Sequence, residues 1–245
     1  MAQSITIDAT AARQDDLEEE RRSARTLVDF AYKRLRRDIL CGALKPGAKL
    51  RVEHLKNDYG VGAGTLREAL SLLLSDALVT SEGQRGFRVA PISMDDLRDV
   101  TRVRTLMEVT ALRESIENGD DDWEAELVAA YHRLSKVEER MDEHRRALSD
   151  DWEERNRGFH EALVAASKSN WLFRLREMLY QQSERYRRLA LVENPVPRDV
   201  HAEHKAIFEA ALARDADEAC RLMTDHIERT FEAVSSLDTG ETGDA

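Results

Sequence analysis

The sequence predicts a mainly α-helical protein built from two parts of opposite charge. Leu, Ala, Arg and Glu dominate its 245 residues, and only four prolines interrupt them, which favours helix throughout. The formal net charge is −11, yet basic residues outnumber acidic ones between residues 25 and 91. The remainder of the chain is therefore strongly acidic. A small basic module joined to a larger acidic helical domain is typical of a nucleic-acid reader with a separate regulatory domain.

The N-terminal module, residues 25–92, combines helical segments with short strands. Three segments place apolar residues at helical spacing: 27–40, 52–59 and 65–76. Three short apolar runs predict strands: 50–52, 78–80 and 86–89. Glycines and Pro46 punctuate these segments, and Gly83–Gly86 supplies a hairpin turn. Three helices with a β-hairpin predict a winged helix-turn-helix.

Residues 93–236 predict an all-α bundle. Six amphipathic segments are expected: 94–118, 122–147, 149–168, 170–191, 199–213 and 215–236. The strongest break is Glu193–Pro197, because each of its two prolines disfavours helix at its own position and the one before. Residues 1–24 and 237–245 are polar without apolar periodicity, so we expect disordered tails there.

Composition also bears on location. No run approaches the roughly 20 apolar residues that a membrane span needs, and the N-terminus lacks the apolar core of a signal peptide. The two cysteines, Cys41 and Cys220, suit a reduced compartment better than a disulfide scaffold. We therefore expect a cytoplasmic protein without a membrane partner.

The predicted helix-turn-helix carries basic residues where double-stranded DNA would lie. Its second helix would enter the major groove by its N-terminal end, which carries Thr65 and Arg67. Arg51 and Lys56 are placed for phosphate contacts, and Arg85 at the wing tip for the minor groove. Any one of these is most simply a solvated surface residue, but their joint arrangement favours DNA binding.

The segment Leu66-Arg67-Glu68-Ala69-Leu70, followed by Leu78-Val79 and Gly86-Phe87-Arg88-Val89, resembles the winged helix of the GntR family. That resemblance implies a transcription factor. The family commonly has a serine and an arginine where this chain has Gly62 and Ala63, so one expected DNA contact is absent. The operator should then differ from the commonest type, or Arg67 and the wing must carry more of the readout.

Three histidines lie on or beside the inward faces of three predicted helices: His160, His204 and His226. Asn156 lies one turn before the first. Each could be a core histidine with a single hydrogen bond. Together they favour a shared metal ion, since unpaired polar groups in a core are costly. Imidazole-rich coordination suits zinc, nickel or a similar divalent ion. His54, His132, His144 and His201 lack this arrangement, although His201 could support the metal ligands from behind.

The same residues, with Arg104 and Glu108, resemble the metal-binding pattern of the FCD domain found in FadR-type GntR regulators. Many members have aspartate in place of Asn156, so here the ligand set is neutral. A net positive metal would favour a carboxylate effector, with Arg102, Arg104 and Arg187 as candidate clamps. A surface ion pair is an equal alternative for each arginine. Glu184–Leu189 resembles the carbon-starvation-induced regulators of this group, which implies a short dicarboxylate such as glutarate.

These observations favour a homodimeric regulator, most simply a repressor, whose operator affinity responds to a small acid. One alternative is a metal sensor in which the ion itself is the signal. Another is a zinc-dependent hydrolase, since three histidines with open positions also activate water. Of the carboxylates that neighbour these histidines in sequence, Glu161 should point away from His160, and hydrolysis needs no DNA-binding module. We therefore expect no enzymatic activity.

Overall fold

The chain divides between Ile92 and Ser93 into two units, each with its own core. The computed structural model describes residues 21–81, 83, 86–193 and 198–238, and within these only the backbone of 142–149, 189–193 and 236–238. Arg85 and most of the two predicted tails lie outside the described residues.

From Leu27 onward, the described part of the N-terminal unit contains three helices and three strands: α1 Leu27–Leu40, β1 Lys49–Leu50, α2 Val52–Tyr59, α3 Ala63–Ser75, β2 Val79–Ser81 and β3 Phe87–Val89. The strands form an antiparallel sheet in the order β1-β3-β2. Thr26 caps α1 by accepting a hydrogen bond from the Asp29 amide. Gly60 ends α2 in the left-handed conformation, at φ 62°. The elements are those of a winged helix-turn-helix, as predicted.

Two predicted boundaries in this unit are wrong by up to two residues. Helix α3 begins at Ala63 instead of Thr65, because Gly62 takes the extended N-cap conformation and Ala63 favours helix. The first strand ends at Leu50, since Val52 already begins α2. Arg67 consequently lies at the end of the first turn of α3.

The C-terminal unit consists of long helices: α4 Met94–Asn118, α5 Asp121–Leu163, α6 Asn170–Glu193, α7 Val200–Leu212 and α8 Ala216–Asp238. Helix α4 packs against α6 and α8, and α7 packs against α5 and α8. Asp120 and Asp215 accept amide hydrogen bonds at the starts of α5 and α8. Apolar side chains from α4, α5, α7 and α8 form one core. Within the described residues, no helix is both long and apolar enough to cross a membrane.

Helix α5 corrects a sequence prediction. Two helices were expected, at 122–147 and 149–168, but one continuous helix of 43 residues runs from Asp121 to Leu163. Ser149 and Asp150, which follow the expected break, are residue types that favour caps. Their propensity cost is small, and no proline or glycine precedes Gly158 in this helix. At 1.5 Å per residue the helix is about 64 Å long. Residues of both expected helices therefore belong to one continuous helix.

Two glycines of this unit give a matched stability prediction. A Cβ at Gly119, between α4 and α5, would lie 2.4 Å from the Trp123 ring and 2.8 Å from the Ser115 carbonyl oxygen. We expect Gly119→Ala to destabilise the protein by roughly 1–3 kcal/mol, the usual cost of overpacking. A Cβ at Gly158, inside α5, meets nothing within 4 Å, so Gly158→Ala should stabilise by roughly 0.5–1 kcal/mol. Urea denaturation measures both, and equal effects would contradict this packing.

Candidate functional site

Three histidines from three helices meet in the C-terminal unit. His160 lies on α5, His204 on α7 and His226 on α8, and all three are buried. Their ring centroids lie 5.6 Å apart for His160 and His204, 5.3 Å for His160 and His226, and 4.8 Å for His204 and His226. One nitrogen from each ring falls within 4.8 Å of the others. The structure thus brings together the three histidines that the sequence singled out.

Several atoms of this cluster are buried without a hydrogen-bond partner among the described residues. They are both ring nitrogens of His160, Nε2 of His204 and Oδ1 of Asn156. Asn156 is buried one turn before His160, and its Nδ2 donates to the Tyr180 hydroxyl at 2.8 Å. Each such buried polar atom costs roughly 1–3 kcal/mol when it lacks a partner. The donor set therefore fits a cation that would satisfy these atoms together.

Two carboxylates form hydrogen bonds with the Nδ1 atoms of two of the histidine rings. Glu138 on α5 accepts from Nδ1 of His204 at 2.7 Å, and Glu203 on α7 accepts from Nδ1 of His226 at 2.9 Å. A proton on Nδ1 leaves Nε2 as the lone-pair nitrogen, so each contact sets the tautomer that binds a metal through Nε2. The sequence alone did not identify Glu138 as a partner.

Each carboxylate is itself anchored. Glu138 also contacts Nδ1 of His201 at 3.0 Å and accepts from the Trp152 indole at 3.2 Å. Burial opposes its ionisation, but the hydrogen bonds from His204, His201 and Trp152 outweigh burial and lower its pKa. Glu203 is paired with Arg198, and this bond together with that from His226 holds its pKa well below the usual range despite burial. Both side chains are therefore anionic at neutral pH.

His160 and His226 are held neutral. Burial lowers the pKa of His160 well below its ordinary value, and the neighbouring His226 and His204 lower it further. Burial is also the main reason that the pKa of His226 falls to about 3, although Glu203 opposes the shift. Neutral imidazoles are the form that binds metal ions.

A second charged group surrounds the Tyr180 ring on α6. The guanidinium carbons of Arg104, Arg176 and Arg187 lie 4.8, 5.9 and 5.4 Å from its centroid. Arg104 and Arg176 share one carboxylate, Glu108, at 3.3 and 2.7 Å. Two buried guanidiniums against one carboxylate leave an excess positive charge, and burial lowers the pKa of Arg104. This group is the cationic side of the site.

The three arginines predicted to clamp an effector occupy different positions. Arg104 is buried, and it donates to Ser183 as well as to Glu108. Arg187 is buried and makes a two-pronged pair with Glu153. Arg102 is exposed and pairs with Asp99. Arg104 and Arg187 therefore lie together at Tyr180, whereas Arg102 does not join them.

Four of the five predicted DNA-contact residues lie on the helix-turn-helix; Arg85 lies outside the described residues. Arg51 is the N-cap residue of α2, Lys56 pairs with Glu53 at 2.6 Å, and Arg67 and Thr65 lie in the first turns of α3. Arg51 and Arg67 are exposed and Thr65 is half-buried. A Cβ at Gly62 or Gly64 would meet nothing within 4 Å. Packing within the N-terminal unit therefore does not require glycine at either position. Without side chains there, the backbone at the start of α3 is accessible.

Sequence reasoning missed Glu138, and the reason is its separation from His204 along the chain. Glu138 lies 66 residues before His204, so no local motif connects them. Helix α6 did carry a signal: Arg176, Tyr180, Ser183 and Arg187 recur at helical spacing along a face where apolar residues are expected. A charged stripe at core spacing indicates a buried polar network.

The carboxylates behind the histidines give a prediction for the metal site. We expect Glu138→Gln to weaken zinc binding by about 10–100-fold, as is usual when the residue behind a ligating histidine is changed. Glu139→Gln is the matched control, because Glu139 is the exposed neighbour on the same helix. Competition with a chelating dye measures both affinities. Equal affinity in the two variants would contradict the role of Glu138.

Comparison with known families covers both units. The family profile described as "Bacterial regulatory proteins, gntR family" matches residues 27–89, and that of the FCD domain matches residues 99–229. The chain is 47% identical over 212 residues to the uncharacterized HTH-type transcriptional regulator BphR of Paraburkholderia xenovorans, covering 86% of each chain. It is 38% identical over 200 residues to the HTH-type transcriptional repressor GlaR of Escherichia coli, covering 80% of this chain and 90% of GlaR.

A solved structure shares the fold. E. coli McbR/YncC superposes with a TM-score of 0.71 at 22% sequence identity, covering 87% of this chain and 99% of the McbR chain. This likeness confirms the architecture of an N-terminal winged helix-turn-helix and a C-terminal helical domain. Together with the profile matches over both units, it leads to one conclusion: the chain is a transcriptional regulator of the GntR family that carries an FCD domain.

Proposed function

We propose that this regulator is a repressor whose operator affinity is set by a small carboxylic acid bound at a metal ion in the helical unit. The observation that carries the proposal is the buried set of partnerless ligand atoms on Asn156, His160 and His204, beside the excess positive charge at Arg104. A protein that only needed a stable core would not bury such groups without compensation.

The metal would be held by His160, His204 and His226, with Asn156 Oδ1 as a weaker oxygen ligand. Zinc suits this set, and nickel or another transition metal is also compatible with it. When bound, the ion would act as a Lewis acid that anchors a carboxylate oxygen. Because the four ligands are neutral, the negative charges nearest the imidazoles come from Glu138 and Glu203 behind them.

The two sides of the histidine cluster differ in charge, which favours one orientation for the acid. Glu138 and Glu203 make the α7 and α8 side anionic, whereas Arg104 and Arg176 make the Tyr180 side cationic. An acid would therefore coordinate the metal from the Tyr180 side. Arg104 offers the better second anchor, because Arg187 is already satisfied by Glu153. A dicarboxylate uses both anchors.

The response requires two states of the protein with different acid affinity, because a ligand shifts an equilibrium only through differential binding. Two copies would place two winged helices on a pseudo-palindromic operator. The relative GlaR is described as a repressor, and we propose that this protein also represses transcription rather than activating it. Acid binding would then release the operator.

An operator-binding titration tests the proposal. The full-length protein is prepared zinc-loaded and chelator-treated, and each form is titrated with operator DNA in the presence and absence of acetate, succinate, glutarate or citrate. We expect operator affinity to fall only with metal and acid together. A response to metal alone would favour the metal sensor, and no response to any acid would overturn the effector assignment.

The zinc hydrolase is disfavoured by the same contacts. Glu138 and Glu203 are occupied by imidazole hydrogen bonds, and Glu161, which follows His160, is exposed. None of the three is therefore placed as a free general base beside a metal-bound water. Turnover of a small ester or amide by the zinc-loaded protein would reverse this judgement.

Arg67 gives the prediction for DNA binding. We expect Arg67→Ala to weaken operator binding by about tenfold or more per half-site, the usual value of an arginine contact to a base. Arg155→Ala is the control, because Arg155 is a partly exposed arginine of the helical unit that pairs with Asp151. Fluorescence anisotropy with labelled operator measures both. Equal operator binding by the two variants would contradict base recognition by Arg67 of α3.

A further inference from the structure

The buried hydroxyl of Tyr180 has a hydrogen to donate. Asn156 Nδ2 donates to this oxygen at 2.8 Å and Arg187 donates to it at 3.4 Å. Both partners that the hydroxyl meets among the described side chains are therefore donors. A phenol both accepts and donates, so its own hydrogen remains available.

The Tyr180 hydrogen is available because residue 156 is an asparagine. An aspartate there would be an acceptor only, and the Tyr180 hydrogen would be directed to it. Asparagine reverses the direction of this hydrogen bond: its amide nitrogen donates to Tyr180, and its Oδ1 is left without a hydrogen-bond partner among the described residues. A metal on Oδ1 would enforce that orientation, because Nδ2 cannot ligate it.

Tyr180 is also positioned beside the proposed acid. Its ring lies 6.0 Å from the His160 ring and 4.8 Å from the Arg104 guanidinium carbon, centroid and carbon distances respectively. It is therefore close to both the histidine cluster and the excess positive charge. The ordinary pKa of a tyrosine, about 10, keeps the hydroxyl hydrogen in place at neutral pH.

We infer that Tyr180 donates its hydroxyl hydrogen to a carboxylate oxygen of the bound acid, and that Asn156 makes this donor available. The inference rests on the proposed function and adds a specificity-determining residue to it. Position 156 then has two effects in one substitution: it removes a negative charge from the metal and it frees a hydrogen-bond donor for the ligand. Both effects favour an anion.

A double-mutant cycle tests the inference. Glutarate binding to the zinc-loaded protein is measured by calorimetry for the wild type, Tyr180→Phe, Asn156→Asp and the double variant, and zinc content is measured for each. We expect Tyr180→Phe to weaken glutarate binding about tenfold, the size of one hydrogen bond to a charged group. In the Asn156→Asp background the same change should cost less than about twofold, because the introduced carboxylate already takes the hydrogen.

Tyr131→Phe is the matched control. Tyr131 lies in the same unit, stacked on Phe208 with ring centroids 4.1 Å apart, and the loss of its hydroxyl should leave glutarate binding unchanged. Equal loss from Tyr180→Phe in both backgrounds, or no loss in the wild-type background, overturns the inference while the proposed function stands. No acid binding by the zinc-loaded wild type overturns both.

The Asn156→Asp variant distinguishes a folding or metal-binding defect of Tyr180→Phe from the loss of its hydrogen bond to the acid. If Tyr180→Phe loses zinc or helicity, the Asn156→Asp protein carries the test. It keeps every atom of Tyr180, redirects the hydroxyl hydrogen and adds a negative charge at the metal, and both changes should weaken glutarate binding. Glutarate affinity must then fall while zinc is retained. Unchanged or tighter glutarate binding by zinc-loaded Asn156→Asp overturns the inference.

Discussion

The His204→Ala variant is expected to lose its metal. Structural zinc sites contribute roughly 10–16 kcal/mol through four ligands, or about 3 kcal/mol for each. The loss of one imidazole should therefore weaken zinc binding by about 100-fold or more. Because His204 is fully buried, water does not replace the lost ligand easily. Elemental analysis after dialysis should find zinc in the wild type and little in the variant.

Two measurements make this result specific. Saturating zinc should raise the melting temperature of the wild type, because binding to the folded state alone stabilises it, and this increase should disappear in His204→Ala. His132→Ala is the control, since His132 is an exposed histidine of the same unit. Stoichiometric zinc of unchanged affinity in His204→Ala would refute the three-histidine site. Circular dichroism should show that both variants keep their helices.

The metal-free protein is expected to lose stability as the pH falls below about 6.5, the ordinary pKa of histidine. Burial depresses the pKa of His226 to about 3 and that of His160 well below its ordinary value. Above pH ~6.5 these histidines are neutral in both states and contribute no pH dependence. Below it, the unfolded chain binds protons that the folded chain excludes, so the free energy of unfolding decreases. For His226 the loss at pH 5 is about 2 kcal/mol, and His160 acts in the same direction.

Urea denaturation in the presence of a chelator, between about pH 7.5 and 4.5, measures this dependence. The ordinary pKa values of the carboxyl groups, about 3.9 to 4.3, lie near the lower end of that range, so the histidines dominate the part above about pH 5.5. The His226→Asn variant should show a flatter profile, because it lacks one of the two depressed groups. Stability that is constant with pH, or that rises as the pH falls, would contradict the neutral buried state of these rings.

The fold was largely predictable because its signals are local. Helical periodicity, glycine punctuation and the hairpin turn each depend on residues close in sequence, and they identified the elements of the N-terminal unit and most of those in the C-terminal one. The continuous helix α5 was missed where Ser149 and Asp150 resemble a helix start. Those residues lower helix propensity only slightly, and the long helix is a single cooperative element.

By itself, the sequence determined the types and order of the elements, the separation of charge between the two units, and the identity of three inward-facing histidines and Asn156. The tertiary structure decided which side chains support them. Glu138 reaches His204 across 66 residues. Glu108, four residues after Arg104 on the same helix, is also shared with Arg176, which lies 68 residues away. The tertiary structure also decided that Asn156 donates to Tyr180. The physical reason is that periodicity reports which face of a helix is buried, whereas hydrogen-bond direction and charge compensation depend on which faces meet.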